Sequence, residues 1–124
     1  MPEMQRNQFK HALAQGKLQI GLWSSLCSNI AAEIISDSGF DWILLDTEHS
    51  PNEIPDLVTQ LQAVQRGTAT PIIRPAWNDA VLAKLALDIG AQTLLFPYVQ
   101  NVEEAKQAVA GDRKSCHRGS SVAA

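Results

Sequence analysis

The stretch DWILLDTEHSPNE, residues 41–53, decides the fold class. Trp42 to Leu45 are apolar at consecutive positions. Alternation would leave one face for solvent, so an unbroken run suits a strand covered on both faces, as in a parallel sheet. Asp46, Glu48 and His49 follow at once, so the charge gathers where that strand ends. Working outward, the same pattern recurs. LQIGLW (18–23), TPIIRP (70–75) and QTLLFP (92–97) read as further strands. Between them lie helical spacings. SNIAAEIISDSG (28–39) has Ser28 as cap and Gly39 as stop, and residues 52–64 carry Ile54, Leu57, Val58, Leu61 and Val64 on one face. Pro55 is tolerated there because it falls in the first turn. Asn78 is expected to cap DAVLAKLALDI, which stops at Gly90, and Asn101 to cap VEEAKQAVA, which stops at Gly111. Phe9, Ala12 and Leu13 predict a short leading helix that ends at Gly16.

The predicted order is therefore a helix followed by four βα units. It implies a parallel sheet with right-handed crossovers. Two architectures fit: an open doubly wound sheet, or the N-terminal half of a (β/α)8 barrel, which needs about 250 residues in full. Residues 1–110 are read as that partial barrel domain and 111–124 (GDRKSCHRGSSVAA) as an atypical, disordered tail.

Composition narrows the function. The chain has 124 residues, 45% hydrophobic and 19% charged, with a net charge of −3. That is ordinary for one globular domain and argues against nucleic acid or an anionic membrane as partner. No apolar stretch approaches the ~18 residues of a spanning helix. The polar N-terminus has no signal-peptide centre, and Cys27 and Cys116 fit no disulfide framework or zinc spacing. A cytoplasmic protein with reduced thiols is expected.

Parallel sheets bind ligands at the carboxyl ends of their strands. There stand Trp23 after the first strand, Asp46, Glu48 and His49 after the second, Arg74 and Trp77 after the third, and Pro97-Tyr98 after the fourth. Arg74, closing an apolar strand, needs a carboxylate or oxyanion partner, either internal or on a ligand. His49 is read either as a loop residue or as a base that Asp46, three positions earlier, orients. Glu48 is read as a solvated loop acid or as one that favours the next helix N-terminus, and Trp23 and Trp77 as packing residues. Cys27 has no neighbouring base in sequence and is a poor nucleophile.

GLW (21–23), GFDWILLDTEHSPN (39–52), PIIRPAWND (71–79) and LDIGAQTLLFPYVQNVEEA (87–105) together resemble the HpcH/HpaI aldolase family, in its 4-hydroxy-2-oxoheptanedioate and 2-keto-3-deoxy-sugar-acid branch. The related citrate-lyase β branch carries a different acidic stretch after its second strand. The resemblance implies a phosphoenolpyruvate/pyruvate-type (β/α)8 barrel and a class II lyase of aromatic or sugar-acid catabolism. Such enzymes cleave 4-hydroxy-2-oxo acids to pyruvate, or a related oxo acid, and an aldehyde. A divalent ion, Mg2+ or Mn2+, is implied as cofactor, with a small 2-oxo acid as substrate and a homo-oligomer as assembly. By motif, His49 is implied as general base, Asp46 as its partner, Arg74 as stabiliser of enolate charge and Trp23 as a wall of the aldehyde side. The family's acidic metal ligands follow its fifth and sixth strands, which have no match here. The chain is thus expected to be a truncated product, with a frameshift near residue 111 as its expected origin, holding no metal alone and inactive alone. Two alternatives remain: a non-catalytic remnant or anion-binding module of the same fold, and a small doubly wound domain of the receiver type. The last needs acids after the first strand, where LQIGLWSSLC has none.

Overall fold

The computed structural model describes residues 6–115 and 121–123. Helix α1 (Gln8–Ala14) leads, followed by β1 (Gly21–Ser24), α2 (Asn29–Ser36), β2 (Trp42–Asp46) and α3 (Ile54–Val64). Then come β3 (Thr70–Arg74), α4 (Ala80–Asp88), β4 (Thr93–Leu95), α5 (Val102–Ser115) and β5 (Ser121–Ala123). The strands form one parallel sheet in the order β1-β2-β3-β4-β5.

That order chooses between the two architectures. A doubly wound sheet reverses its strand order and carries helices on both faces. Here each strand lies beside its sequence neighbour. Ala32 of α2, Leu57 and Leu61 of α3, Ala83 and Ala86 of α4 and Ala108 of α5 pack on one face with Ile43, Leu45, Ile73 and Leu94. This is barrel winding, and it also excludes the receiver-type reading. The opposite face carries Leu44 and Ile72, flanked by Trp42 and Leu95 and closed by Phe9 of α1. Burial on both faces explains the unbroken apolar run of β2, whose Ile43, Leu44 and Leu45 are all buried.

Local signals worked where the partner group was close in sequence. Ser28 Oγ accepts from Ala31 N at 3.2 Å, and Asn101 Oδ1 from Glu104 N at 2.9 Å. Gly90 ends α4 with φ +110°, a conformation that favours glycine. Asn7 accepts from Lys10 N and donates to Gln92 O and Thr93 Oγ1, which ties α1 to the start of β4.

Several boundaries differ from expectation: β4 is shorter than 92–97, and a fifth strand, β5, falls in the segment read as a tail. The first strand begins at Gly21 rather than Leu18, because its partner β2 begins only at Trp42. Asp79, not Asn78, caps α4: its Oδ1 accepts from Val81 N (2.9 Å) and Leu82 N (3.0 Å). Asn78 is turned inward and donates to Glu104 O at 3.0 Å. Finally, α5 does not stop at Gly111 but runs on to Ser115. Gly111 faces α4, and a Cβ there would lie 3.6 Å from Ala80 Cα. Such a Cβ would make only an ordinary contact, and the helix continues through this glycine instead of stopping at it. Within the segment read as a tail, residues 116–120 and 124 lie outside the described residues. Among the described residues, no helix is long and apolar enough to cross a membrane.

Candidate active site

Asp46 and Arg74 end neighbouring strands and stand opposite each other in register. Their side chains share the sheet face that carries Leu44 and Ile72. Arg74 Nε donates to Asp46 Oδ1 at 2.8 Å and Nη2 to Oδ2 at 2.7 Å, a two-pronged pair. Asp46 is 1% exposed, so it needs every donor it has. The backbone N–H of Glu48 supplies a third at 2.9 Å and the Trp23 indole N–H a fourth at 3.3 Å. Burial acts to raise the Asp46 pKa. The hydrogen bonds from Arg74, Glu48 N–H and Trp23, with the Arg74 charge, outweigh it and lower the value from 3.8 to about 2. The guanidinium pKa is raised in turn, chiefly by its hydrogen bonds to Asp46.

Two further groups fix the guanidinium. Trp23 covers it, with Arg74 Cζ 4.7 Å from the ring centroid, a cation–π contact. Glu48 Oε2 lies 2.8 Å from Nη1, an ion pair that lacks hydrogen-bond alignment. Glu48 Oε1 in turn lies 3.5 Å from His49 Nε2. Thus Trp23, Asp46, Arg74, Glu48 and His49 form one connected cluster at the carboxyl ends of β1–β3. The imidazole is its exposed end, with a side chain 72% accessible.

The turn from 47 to 53 is folded back on the end of β2. Ser50 Oγ donates to Asp46 O, and Asn52 Nδ2 donates to the same oxygen at 2.8 Å. Buried Gln60 of α3 holds Asn52 through a 2.7 Å bond to its Oδ1. Across the strands, Thr47 Oγ1 and N both donate to Arg74 O, at 2.7 and 3.1 Å. This explains why an apolar strand ends in such a polar run: the turn's polar atoms satisfy the strand ends and aim the acids.

The geometry changes three readings. Asp46 does not orient His49: its carboxylate faces Arg74, across the strand pair, and the acid beside the imidazole is Glu48. Glu48 is no solvated or merely helix-starting acid, since its carboxylate reaches both His49 and Arg74. Its spacing, two residues after Asp46, was the available signal. Trp77 is not packed inside. It is 53% exposed and stacks on Tyr98, 60% exposed, with ring centroids 5.0 Å apart. A cleft of about 520 Å³ lies between α3 and α4, beside the turn, and includes none of the charged cluster.

Residues 19–118 match the family described as HpcH/HpaI aldolase/citrate lyase. The chain belongs to that family. Within it, the chain is 54% identical over 107 residues to a 4-hydroxy-2-oxo-heptane-1,7-dioate aldolase of Klebsiella pneumoniae, covering 86% of this chain and 40% of the relative. It is 56% identical over 115 residues to a pyruvate aldolase of Rhizobium etli, covering 93% and 45%. A crystal structure of an HpcH/HpaI aldolase/citrate lyase family protein of Burkholderia cenocepacia superposes with a TM-score of 0.82 at 35% identity, over 96% of this chain and 49% of that one. The chain therefore spans less than half the length of these HpcH/HpaI relatives.

The family implies a divalent cation. Among the described residues, no three His, Cys, Asp or Glu side chains come together to hold one. The two carboxylates that face the rim are committed to Arg74. The residues present do not by themselves fit the ion.

Proposed function

We propose that this chain carries the 2-oxo-acid end of an aldolase site, in an enzyme that splits a 4-hydroxy-2-oxo acid into pyruvate, or a related oxo acid, and an aldehyde. The guanidinium of Arg74, held in place by Asp46, Glu48 and Trp23, is the observation that supports it most. Asp46 takes two of its five N–H donors and Glu48 pairs with Nη1 without an aligned hydrogen bond, which leaves donors on Nη1 and Nη2 for an incoming oxygen. In cleavage, His49 takes the proton of the 4-hydroxyl. The carbon–carbon bond beside it then breaks, and the electron pair moves onto the 2-oxo oxygen as an enolate. Arg74 stabilises that charge without having to reorganise, because its partners have already oriented it. Glu48 stands beside the imidazole, and Trp23 lines the aldehyde side. Mg2+ or Mn2+ is the family's cofactor. No ligand set for it comes together among the described residues, so we expect the chain alone to give no turnover.

Binding tests this reading without turnover. Pyruvate should bind the chain, and Arg74→Lys should weaken binding about 10-fold, since an ammonium cannot reproduce the guanidinium fork. Unchanged affinity in a folded Arg74→Lys chain would refute the proposed role. An anion-binding module of the same fold would pass this test yet fail the proton-transfer test given for His49 in the Discussion.

Self-association belongs to the same proposal. Among the described residues, β1 pairs only with β2, and Leu18, Ile20, Leu22 and Leu26 along this edge are exposed. An open strand edge with apolar neighbours invites pairing. Sedimentation should find a homo-oligomer or larger species, and a single stable monomer would overturn the expectation.

A further inference from the structure

We infer that Trp77 and Tyr98 form an aromatic platform that binds the part of the substrate remote from its oxo-acid group and favours flat or aromatic fragments there; this rests on Arg74 engaging the oxo acid as proposed above. The two rings meet each other at 5.0 Å with an interplanar angle of 29°, and each is more than half exposed. They contribute little to the core, so their apolar faces are kept at the surface at some cost in free energy.

Both rings stand on backbone that is pinned. Trp77 precedes Asn78, which is 8% exposed and donates to Glu104 O at 3.0 Å. Asp79 then caps α4. Tyr98 follows Pro97 and precedes the start of α5, where Glu104 Oε2 accepts from Gln100 N at 2.6 Å and Asn101 caps the helix. Tyr98 itself has φ +59°, a left-handed conformation uncommon for an aromatic residue. Strain of this kind is retained where surrounding structure enforces it, typically at sites that clamp a ligand. Asn78 and Glu104 also join the two loops, so the stack is held from both sides.

Its position suits a substrate that starts at Arg74. Trp77 lies three residues beyond Arg74, so their Cα atoms are at most about 11 Å apart. Ile73 pairs with Leu94, which brings the ends of β3 and β4 side by side. A 2-oxo acid held by the guanidinium therefore has its far end within reach of the rings. Two stacked rings with one hydroxyl offer no charge to bind a second carboxylate, but they offer a face for a flat apolar group.

The test uses the chain itself with two probes, pyruvate and phenylpyruvate, the second being the same 2-oxo acid extended by a ring. Affinities are read by NMR titration. Phenylpyruvate should bind about 10-fold more tightly, the effect of one good aromatic contact. Trp77→Ala and Tyr98→Ala should each bring that ratio close to one while leaving pyruvate affinity within about twofold. Trp77→Phe, which keeps an aromatic face, should retain most of the preference and guards against a folding defect. Equal binding of the two probes by the unaltered chain, no binding of either, or a ratio unmoved by Trp77→Ala would overturn the inference. So would dissociation of an oligomer by Trp77→Ala with the ratio intact, because the rings would then face a second copy of the chain. If Arg74→Lys leaves both affinities unchanged while Trp77→Ala still removes the preference, the proposed role of Arg74 fails and the aromatic platform stands.

Discussion

Replacing Arg74 with methionine should lower the stability of the chain by about 3–5 kcal/mol at neutral pH. The loss comes less from the attraction removed than from what is left behind. Asp46 is 1% exposed, and without the guanidinium it keeps only Glu48 N–H and the Trp23 indole as donors. Glu48 lies beside it and loses its counter-charge as well. The pH dependence carries the sign of this interaction. In the native chain the Asp46 pKa is lowered to about 2 from 3.8. The stabilisation is therefore present above the unfolded value and is lost as pH falls from about 4 to about 2, worth roughly 2 kcal/mol. In Arg74→Met, burial is left without its main opponent, so the carboxyl should titrate higher than in an unfolded chain. The variant should then recover part of its deficit as pH falls from 7 toward 4, where the native chain changes little at this group. Urea unfolding of both proteins across that range measures it. A deficit under about 1 kcal/mol, or parallel pH profiles, would show that the Arg74–Asp46 pair contributes little. Replacing both partners with apolar residues should cost less than replacing Arg74 alone, because no charge is then left buried.

Joined to the remaining residues of its Klebsiella relative, the chain should support metal-dependent cleavage of a 4-hydroxy-2-oxo acid, and His49→Ala should cut kcat by roughly 10²–10⁴-fold. Binding of the oxo acid should hardly change, since the imidazole is at the exposed end of the cluster and no structural bond depends on it. Exchange of the pyruvate methyl protons needs the enolate but no aldehyde, so it separates the two roles. Arg74→Lys should depress exchange and cleavage together, while His49→Ala should spare exchange more than cleavage. Glu48→Gln should lie between them, as it weakens both the His49 contact and one side of the guanidinium. Cleavage left intact by His49→Ala, with neither reaction altered by Arg74→Lys, would dismiss both assignments.

The legibility of the site differed from residue to residue. Asp46, Arg74, His49 and Trp23 could be singled out because strand ends in a parallel sheet collect functional groups, and each follows an apolar run. Their partners could not. Arg74 called for a carboxylate or an oxyanion, and nothing local in the sequence said which. Asp46 was given to His49 because they are three residues apart, yet it is 28 residues from the arginine it binds. The buried support from Asn52 and Gln60 was equally invisible, as it depends on how α3 lies against the turn.

By itself the sequence determined the alternation of strands and helices, the covered faces of β2 and the caps at Ser28 and Asn101. These follow from the spacing of apolar residues and from hydrogen bonds that span three positions, both properties of neighbouring residues. The tertiary structure decided the sequential strand order, the turning inward of Asn78 that leaves the cap to Asp79, and the pairing of Asp46 and Glu48 with Arg74. Each of these depends on register and burial between segments far apart in the chain. There the cost of an unpaired buried charge, not local preference, selects the partner.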